Sequence, residues 1–439
     1  MGTFRTRAAA FVATGCLVAT GLVAFAGAPA SAATTFTVDN ADDTGVAVPA
    51  NCTTPVPGAC GLNDAIAAAQ AAGGDVTISL AVPGGVVNST GNVWVGAPSD
   101  TLTIEGNGQT LDNPNVSTTV RVDSGAHLTI NNTVITSGFT PVGTQIPVTI
   151  TNSTLTAVVH QIAVTSQGIF ANADVTVVNS SISSSNLSDG AAVGVQSTKG
   201  PITLTGSTVV ASSTVGFAQG VSDTSSDTAV TSSTVTATAP AIGEGIVTNG
   251  LVVVNSTIAG STSTGIDVEG PLTLVYSSVV GNAQADGSTQ LNVNNLTVFG
   301  SVIANPGAGN ANCNVNNSTT SQGYNYSDDA DTSTSCKLAN SSDKVGSTNN
   351  PLLGALANNG GPTPTLLPLT GSPLIDAIPA AACQSGSAAG ITTDQRGLPR
   401  PGVGIGTGPN CDIGAVELQG TPAPTPAPTP IAIQPAFTG

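Results

Sequence analysis

The chain is short of charge, and shortest of positive charge. Lys and Arg number 8 in 439 residues, against 25 Asp and Glu. A nucleic-acid-binding surface needs a basic stripe, so that class of partner is excluded. Aromatic residues make up 3 % of the chain, with a single Trp and a single Met. The helix formers Lys, Arg, Glu and Met are nearly absent, which leaves little from which to build long helices. Beyond residue 32 no apolar run approaches the roughly 18 residues of a membrane span, so none is expected in the mature chain. No C-x-x-C occurs, and His127 and His160 lie far from the cysteines, which argues against zinc.

What is abundant is Gly, at 52 residues, together with Ser, Thr, Asn, Val and Ala. Val and Thr favour strands, and Gly and Asn favour positive-φ corners between them. Such a composition would suit disorder, but an apolar content of 40 % that alternates with period two argues for folded strands.

The alternation recurs. Similar phrases start at Leu102, Leu128, Val148, Val175, Ile202, Thr228, Leu251, Leu272 and Leu296, for example LTINNTVITS, VTVVNSSISS and LVVVNSTIAG. The start-to-start steps are 26, 20, 27, 27, 26, 23, 21 and 24 residues. Ahead of five of them stands Gly followed by Ile or Val: Gly168-Ile169, Gly194-Val195, Gly220-Val221, Gly245-Ile246 and Gly265-Ile266. Each unit thus carries at least two short strands. A unit of about 24 residues cannot enclose a core, but stacked units can, with Leu128, Val148, Val175 and Ile202 piled in one row. The expected fold is all-β: a right-handed parallel β-helix, a solenoid of the pectate-lyase-like kind. Steps of about 4.8 Å give a rod of roughly 40 Å. Insertions at 183–192 and 222–227 are expected as surface loops. Asn132, Asn152, Asn179 and Asn255 each follow their strand start by four residues. They are expected to stack as a ladder, a better reading of their N-x-[ST] context than glycosylation.

Residues 1–32 have the form of a secretory signal: Arg5 and Arg7, a largely apolar 8–25, and Ala30-Ser31-Ala32 as a cleavage site. Cleavage removes both arginines and no acid. It also removes Cys16 and leaves six cysteines: Cys52, Cys60, Cys313, Cys336, Cys383 and Cys411. An even set in a secreted chain reads as disulfides. Sequential pairing is the natural arrangement, since each bond then closes a local loop outside the repeats. The implied location is secreted, extracellular or cell-surface associated.

A solenoid needs its ends covered. Residues 61–72, GLNDAIAAAQAA, suit a short capping helix with Asn63 or Asp64 as N-cap and Gly73-Gly74 as stop. The stretch 36–80 resembles the N-terminal "CSLREA" region of secreted bacterial β-helix proteins, with Cys60-Gly61-Leu62-Asn63-Asp64-Ala65-Ile66 at the motif. Asn63-Asp64 replaces its charged pair. The C-terminal segments 358–377, 393–401 (TDQRGLPRP) and 411–418 (CDIGAVEL) resemble the "choice-of-anchor Q" domain that follows β-helix repeats in secreted bacterial proteins. That resemblance implies surface placement and no particular reaction. Arg396 and Arg400, near Asp376, Asp394 and Asp412, are expected to form a partly buried ion-pair network that fixes this cap. Leu367-Pro368-Leu369-Thr370-Gly371 matches a sortase signal, but 68 residues follow it, so it reads as accidental. The expected organisation is signal 1–32, N-terminal cap and first coil 33–100, repeats 101–310, disulfide-closed loop region 311–350, anchor-like domain 351–419 and a Pro/Thr-rich spacer 420–439.

Parallel β-helices include polysaccharide lyases and hydrolases, but this array is nearly bare of their chemistry. Its only cations are Arg121 and Lys199, and no Gly-His-Gly or Arg-x-Lys occurs. No catalytic residue is expected. The nearest to candidates are Arg121 and Asp123, beside His127 and Glu105, and the pair Asp267 and Glu269, with Glu244 one coil earlier. No cofactor is expected, and the acidic surface is expected to hold Ca²⁺ only weakly. These observations point to a secreted, monomeric, structural or adhesin-like rod that contacts a polysaccharide or cell-wall surface. The alternative is a polysaccharide lyase or glycoside hydrolase.

Overall fold

The computed structural model describes residues 33–42, 46–54, 56–115, 117–285, 287–305, 307–329, 335–346, 350–402 and 408–420. The expected signal, 1–32, and the expected spacer from 421 onward lie outside these.

Each coil is three-sided. A typical one runs through Ser166–Ala171, Val175–Val178 and Ser181–Asn186, and each strand pairs in parallel with its equivalent one coil on. The third strands form a 12-stranded parallel sheet. The first and second strands belong to a 17-stranded sheet, because in later coils they run together as one bent strand, as in Ile242–Val254 and Ile266–Val275. The chain is a parallel β-helix.

Period-two alternation points every other side chain inward, and coil registry stacks like on like. The second strands give Leu102, Leu128, Val148, Val175 and Ile202 in one continuous row. The third strands give Leu111, Ile135, Leu155, Ile182, Val209 and Val235, all fully buried. The first strands add Val142, Ile169, Val195, Val221 and Ile246. Three Gly of the Gly-Ile/Val steps, Gly168, Gly194 and Gly220, sit where the first strand passes closest to Ile182, Val209 and Val235 of the third-strand row.

The corner between second and third strands explains the recurring Asn. Asn132, Asn152, Asn179 and Asn255 have φ between 47° and 50°, the left-handed region that Asn tolerates better than most residues. The bonds that climb the stack, however, come from the next residue. The backbone N–H of Ser153 donates to Ser180 Oγ, Ser180 to Ser207, Ser207 to Ser233 and Ser233 to Ser256, each at 3.1 Å. Each hydroxyl in turn donates to the carbonyl two residues before it, as Ser207 does to Thr205 at 2.8 Å. The expected asparagine ladder is thus a serine ladder, with Asn shaping the turn that aims it. Ser207→Ala would leave the buried Ser180 N–H without an acceptor, and a loss of about 1–3 kcal/mol is expected in denaturant titration. A change within error would show that the ladder is not needed.

Three expectations about loops change. Ser183 to Asn186 extend the third strand and pair with Val210 to Ser213. Residues 222–227 lie within the strand Phe217–Thr231 as an irregularity in register. The buried Asp223 carboxylate organises it by accepting the N–H groups of Ser225 and Ser226. The 311–350 stretch is not simply loop: Ala311–Ser321, Tyr326–Ser327 and Lys344–Val345 continue the ladders. Ladder pairing also starts early, at Thr34–Val38 against Asp75–Leu80.

At the N-terminal end the helix Leu62–Ala72 buries Leu62, Ala65, Ala68 and Ala69 against the first coils. Its N-cap is Gly61 rather than Asn63 or Asp64. Asp64 sits three residues on and reaches back to Gly61 N at 3.4 Å while accepting from Asn51 Nδ2 at 2.8 Å. Disulfides join Cys52–Cys60, Cys313–Cys336 and Cys383–Cys411.

The C-terminal cap lies along the flank of the rod. Gln395 inserts between coils: Thr257 Oγ1 donates to its Oε1 at 2.6 Å, and its Nε2 donates to Thr234 Oγ1 at 2.8 Å. Asn255 Nδ2 donates to Thr393 O, and the Ala415 N–H to Ser278 Oγ. The sortase-like pentapeptide is built into this cap, with Thr365–Pro368 paired antiparallel to Leu353–Ala357.

Candidate functional site

Arg121 and Asp123 form an ion pair at 2.8 Å, with side chains 55 % and 33 % exposed. An exposed pair of this kind contributes about 0–1 kcal/mol and faces no cleft acid. His127 is engaged elsewhere, its Nε2 2.9 Å from Thr149 Oγ1, and burial holds its pKa below the usual value. Glu105 accepts from Asn131 Nδ2 at 2.7 Å. Arg121 and Asp123 share one strand, His127 and Glu105 lie on two others, and the four side chains do not assemble into a reaction centre.

The acidic pair Asp267 and Glu269 does occupy a concavity. Where first and second strands fuse, a register shift between Val268 and Pro271 bends the strand and opens a groove on the outer face. The groove has a volume of about 440 Å³ and is lined by Asp267, Glu269, Asn292, Asn294 and Asn316, with Val247 and Thr248 toward the preceding coil. A smaller extension of about 80 Å³ continues past Thr248 and Glu269 to Asn249, Thr224 and Asp223. The whole trough crosses five coils, or about 19 Å at the strand spacing, and runs along the rod axis.

Coil registry builds its wall. Asp267, Asn292 and Asn314 stand in one column, since Asp267 pairs with Asn292 and Asn292 with Asn314. Asn292 Nδ2 donates to Asp267 Oδ1 and Asn314 Nδ2 to Asn292 Oδ1, both at 2.9 Å. Two residues along, Asn294 Nδ2 donates to the Glu269 carbonyl, Asn316 Nδ2 to Asn294 Oδ1 at 2.9 Å, and Asn249 Nδ2 to the Thr224 carbonyl at 3.0 Å. These bonds fix the amides along the columns that line the groove. Glu244, expected beside the acids, is instead held by Gln219 Nε2 at 2.9 Å and does not line the groove.

Burial raises the Asp267 pKa above the usual carboxylate value; the Asn292 bond pulls it down, and the neighbouring Glu269 charge pushes it up. Sequence reading singled out the two acids but missed the asparagines. Their signal is present in Asn292-Val-Asn294 and Asn314-Val-Asn316, an outward Asn-x-Asn repeated 22 residues apart. Among the described residues, no three His, Cys, Asp or Glu side chains gather closely enough to hold a metal ion. Nor is any helix there long and apolar enough to cross a membrane.

A solved structure shares the architecture. The crystal structure of pectate lyase Pel9A aligns with a TM-score of 0.50 and 16 % identity, covering 88 % of this chain and 97 % of that one. At this identity the likeness establishes the fold alone. No family model and no curated protein matches the chain.

Proposed function

We propose that this protein is a secreted or surface-displayed β-helix that contacts glycans through the groove at Asp267 and Glu269 without cleaving them. The observation that carries the reading is the lining itself: carboxamides and three carboxylates, Asp223, Asp267 and Glu269, in a long trough, with no Lys or Arg among the lining residues. Rigid amides suit sugar hydroxyls, which need both donors and acceptors. An acidic polymer such as polygalacturonate would meet repulsion from both carboxylates. Asp267 and Glu269 stand two residues apart on one strand, whereas glycosidic hydrolysis needs two acids held at a defined separation around the scissile bond. Secretion is supported by the signal-like 1–32 and by three disulfides. Surface display is supported by the resemblance of the two ends to the "CSLREA" and "choice-of-anchor Q" regions.

The test is a panel of neutral and acidic polysaccharides, with and without Ca²⁺, scored for both binding and turnover. Retention on a neutral glycan, no turnover, and an affinity weakened about 3–10-fold by Asn294→Ala are expected, the loss of roughly one hydrogen bond. Turnover abolished by Asp267→Asn or by Arg121→Ala would overturn the reading in favour of a lyase or hydrolase.

A further inference from the structure

From the charge and shape of the groove we infer that its ligand is an amino-sugar polymer with free amines, a linear glycan of glucosamine type. The inference rests on the glycan-contacting reading above and narrows it to one chemical class.

Three observations lead there. The first is charge. Asp267 is half-buried, and its hydrogen-bond donor is a neutral amide, Asn292. Glu269 lies in the same trough and adds its own negative field at Asp267. Asp267 and Glu269, with Asp223 at the end of the extension and no cation among the lining residues, leave a negative potential that an incoming ammonium would neutralise. Lys337 stands at the far end, but its Nζ donates to the carbonyls of Val315 at 2.7 Å and Asn317 at 3.3 Å. Asn316, between those two residues, is two coils beyond Glu269 in the column that runs through Asn294. The acids are therefore not neutralised by it.

The second is shape. The trough runs parallel to the rod axis across several coils, and its two lobes share Val247, Thr248 and Glu269. A compact cation such as a single amine would leave most of it empty. A linear chain fills it.

The third is the alternation of chemistry along that line. Neutral donors and acceptors flank Asp267 and Glu269 on both sides: Asn294 and Asn316 on one, and Asn249 and Thr224 on the other, beside the buried Asp223, whose carboxylate accepts the N–H groups of Ser225 and Ser226. A polymer with amines and hydroxyls on each unit matches this order. A polycationic peptide offers charge but few groups for the amides, and a fully N-acetylated glycan offers hydroxyls but no charge for the acids.

The test compares three hexamers, of glucosamine, of N-acetylglucosamine and of glucose, with hexalysine as a fourth arm. Binding is measured by calorimetry on the full protein at pH 6 in low and moderate salt. The expected result is that the glucosamine hexamer binds at least about 10-fold tighter than either neutral hexamer, that salt erodes this preference, and that Glu269→Gln or Asp267→Asn removes it. Glu269 is exposed, so its variant keeps the fold. Equal binding of the three sugars, unchanged in these variants, would overturn the amine preference and leave the glycan reading standing. Hexalysine binding as tightly as the glucosamine hexamer would overturn it in favour of bare charge attraction. Failure of all three sugars to bind would overturn both readings.

Discussion

Replacing Arg400 with Met is expected to destabilise the C-terminal cap by about 3–5 kcal/mol, the range for breaking a buried ion pair from one side. Arg400 is 1 % exposed and is the second-largest fully buried side chain. Its guanidinium pairs with Glu417 at 3.1 Å and donates to the carbonyls of Asp412 at 2.8 Å and Gly414 at 2.9 Å. It also lies 4.0 Å from the centre of the Tyr276 ring, a residue of the rod, whose hydroxyl donates to Cys383 O at 2.6 Å. The side chain thus binds cap to cap and cap to coil at once. Glu417 depends on it: burial pushes that carboxyl up to about 7, with the Arg400 charge pulling the other way. Without the guanidinium, a carboxylate 1 % exposed would keep only the N–H groups of Gly402 and Asp412. The double variant with Glu417→Gln should recover part of the loss, because no buried charge is then left alone. Denaturant titration of the two variants measures this. A loss below about 1 kcal/mol for Arg400→Met would sink the argument, as would a double variant no more stable than the single.

Sequence reading reached this cap only in part, and the reason is physical. The motifs placed Arg396 and Arg400 among Asp376, Asp394 and Asp412. The structure keeps Arg396 with Asp394 at 2.8 Å but gives Arg400 to Glu417. Asp412 instead accepts the N–H groups of Asp376 and Leu418. Which acid faces which base depends on how a loop-rich segment folds over the coils, and no periodicity records that. The rod was legible because its information is one-dimensional: alternation sets the face and the repeat sets the row. The groove falls between these cases. Its acids stand out by type, while its asparagines look like any others until coil registry puts Asn292 over Asn314 and Asn294 over Asn316. The serine ladder was equally in view, in NST, NSS and GST, one residue after each Asn or Gly that follows the coil period. The serine side chain, only Cβ and Oγ long, reaches the next coil because the left-handed residue before it turns the backbone there.

The repeated glycines carry the other large expected effect. Gly194→Ala is expected to destabilise the rod by about 3 kcal/mol, at the upper end for overpacking a core, and Gly194→Val by more. A methyl built on Gly194 would lie 2.3 Å from Val209 Cγ1 and 2.5 Å from the Gly220 carbonyl oxygen. Rotating Val209 cannot relieve both contacts, since Gly220 is backbone in the next coil. The same geometry recurs at Gly168 against Ile182 and Gly194, and at Gly220 against Val235 and Gly245. The column is therefore a shared constraint: the first strand must pass within backbone distance of the β-branched row opposite, and only a residue without Cβ fits. Strain at one coil cannot be absorbed by moving that coil alone, because its neighbours are pinned by ladder bonds on all three sides. Gly354→Ala serves as the control, since its nearest neighbours would be at an ordinary 3.5 Å, and it should be close to neutral. Denaturant midpoints for the two alanine variants measured side by side decide the matter. Equal midpoints would mean that the Gly-Ile/Val step is a habit of composition and that the coil has room to spare.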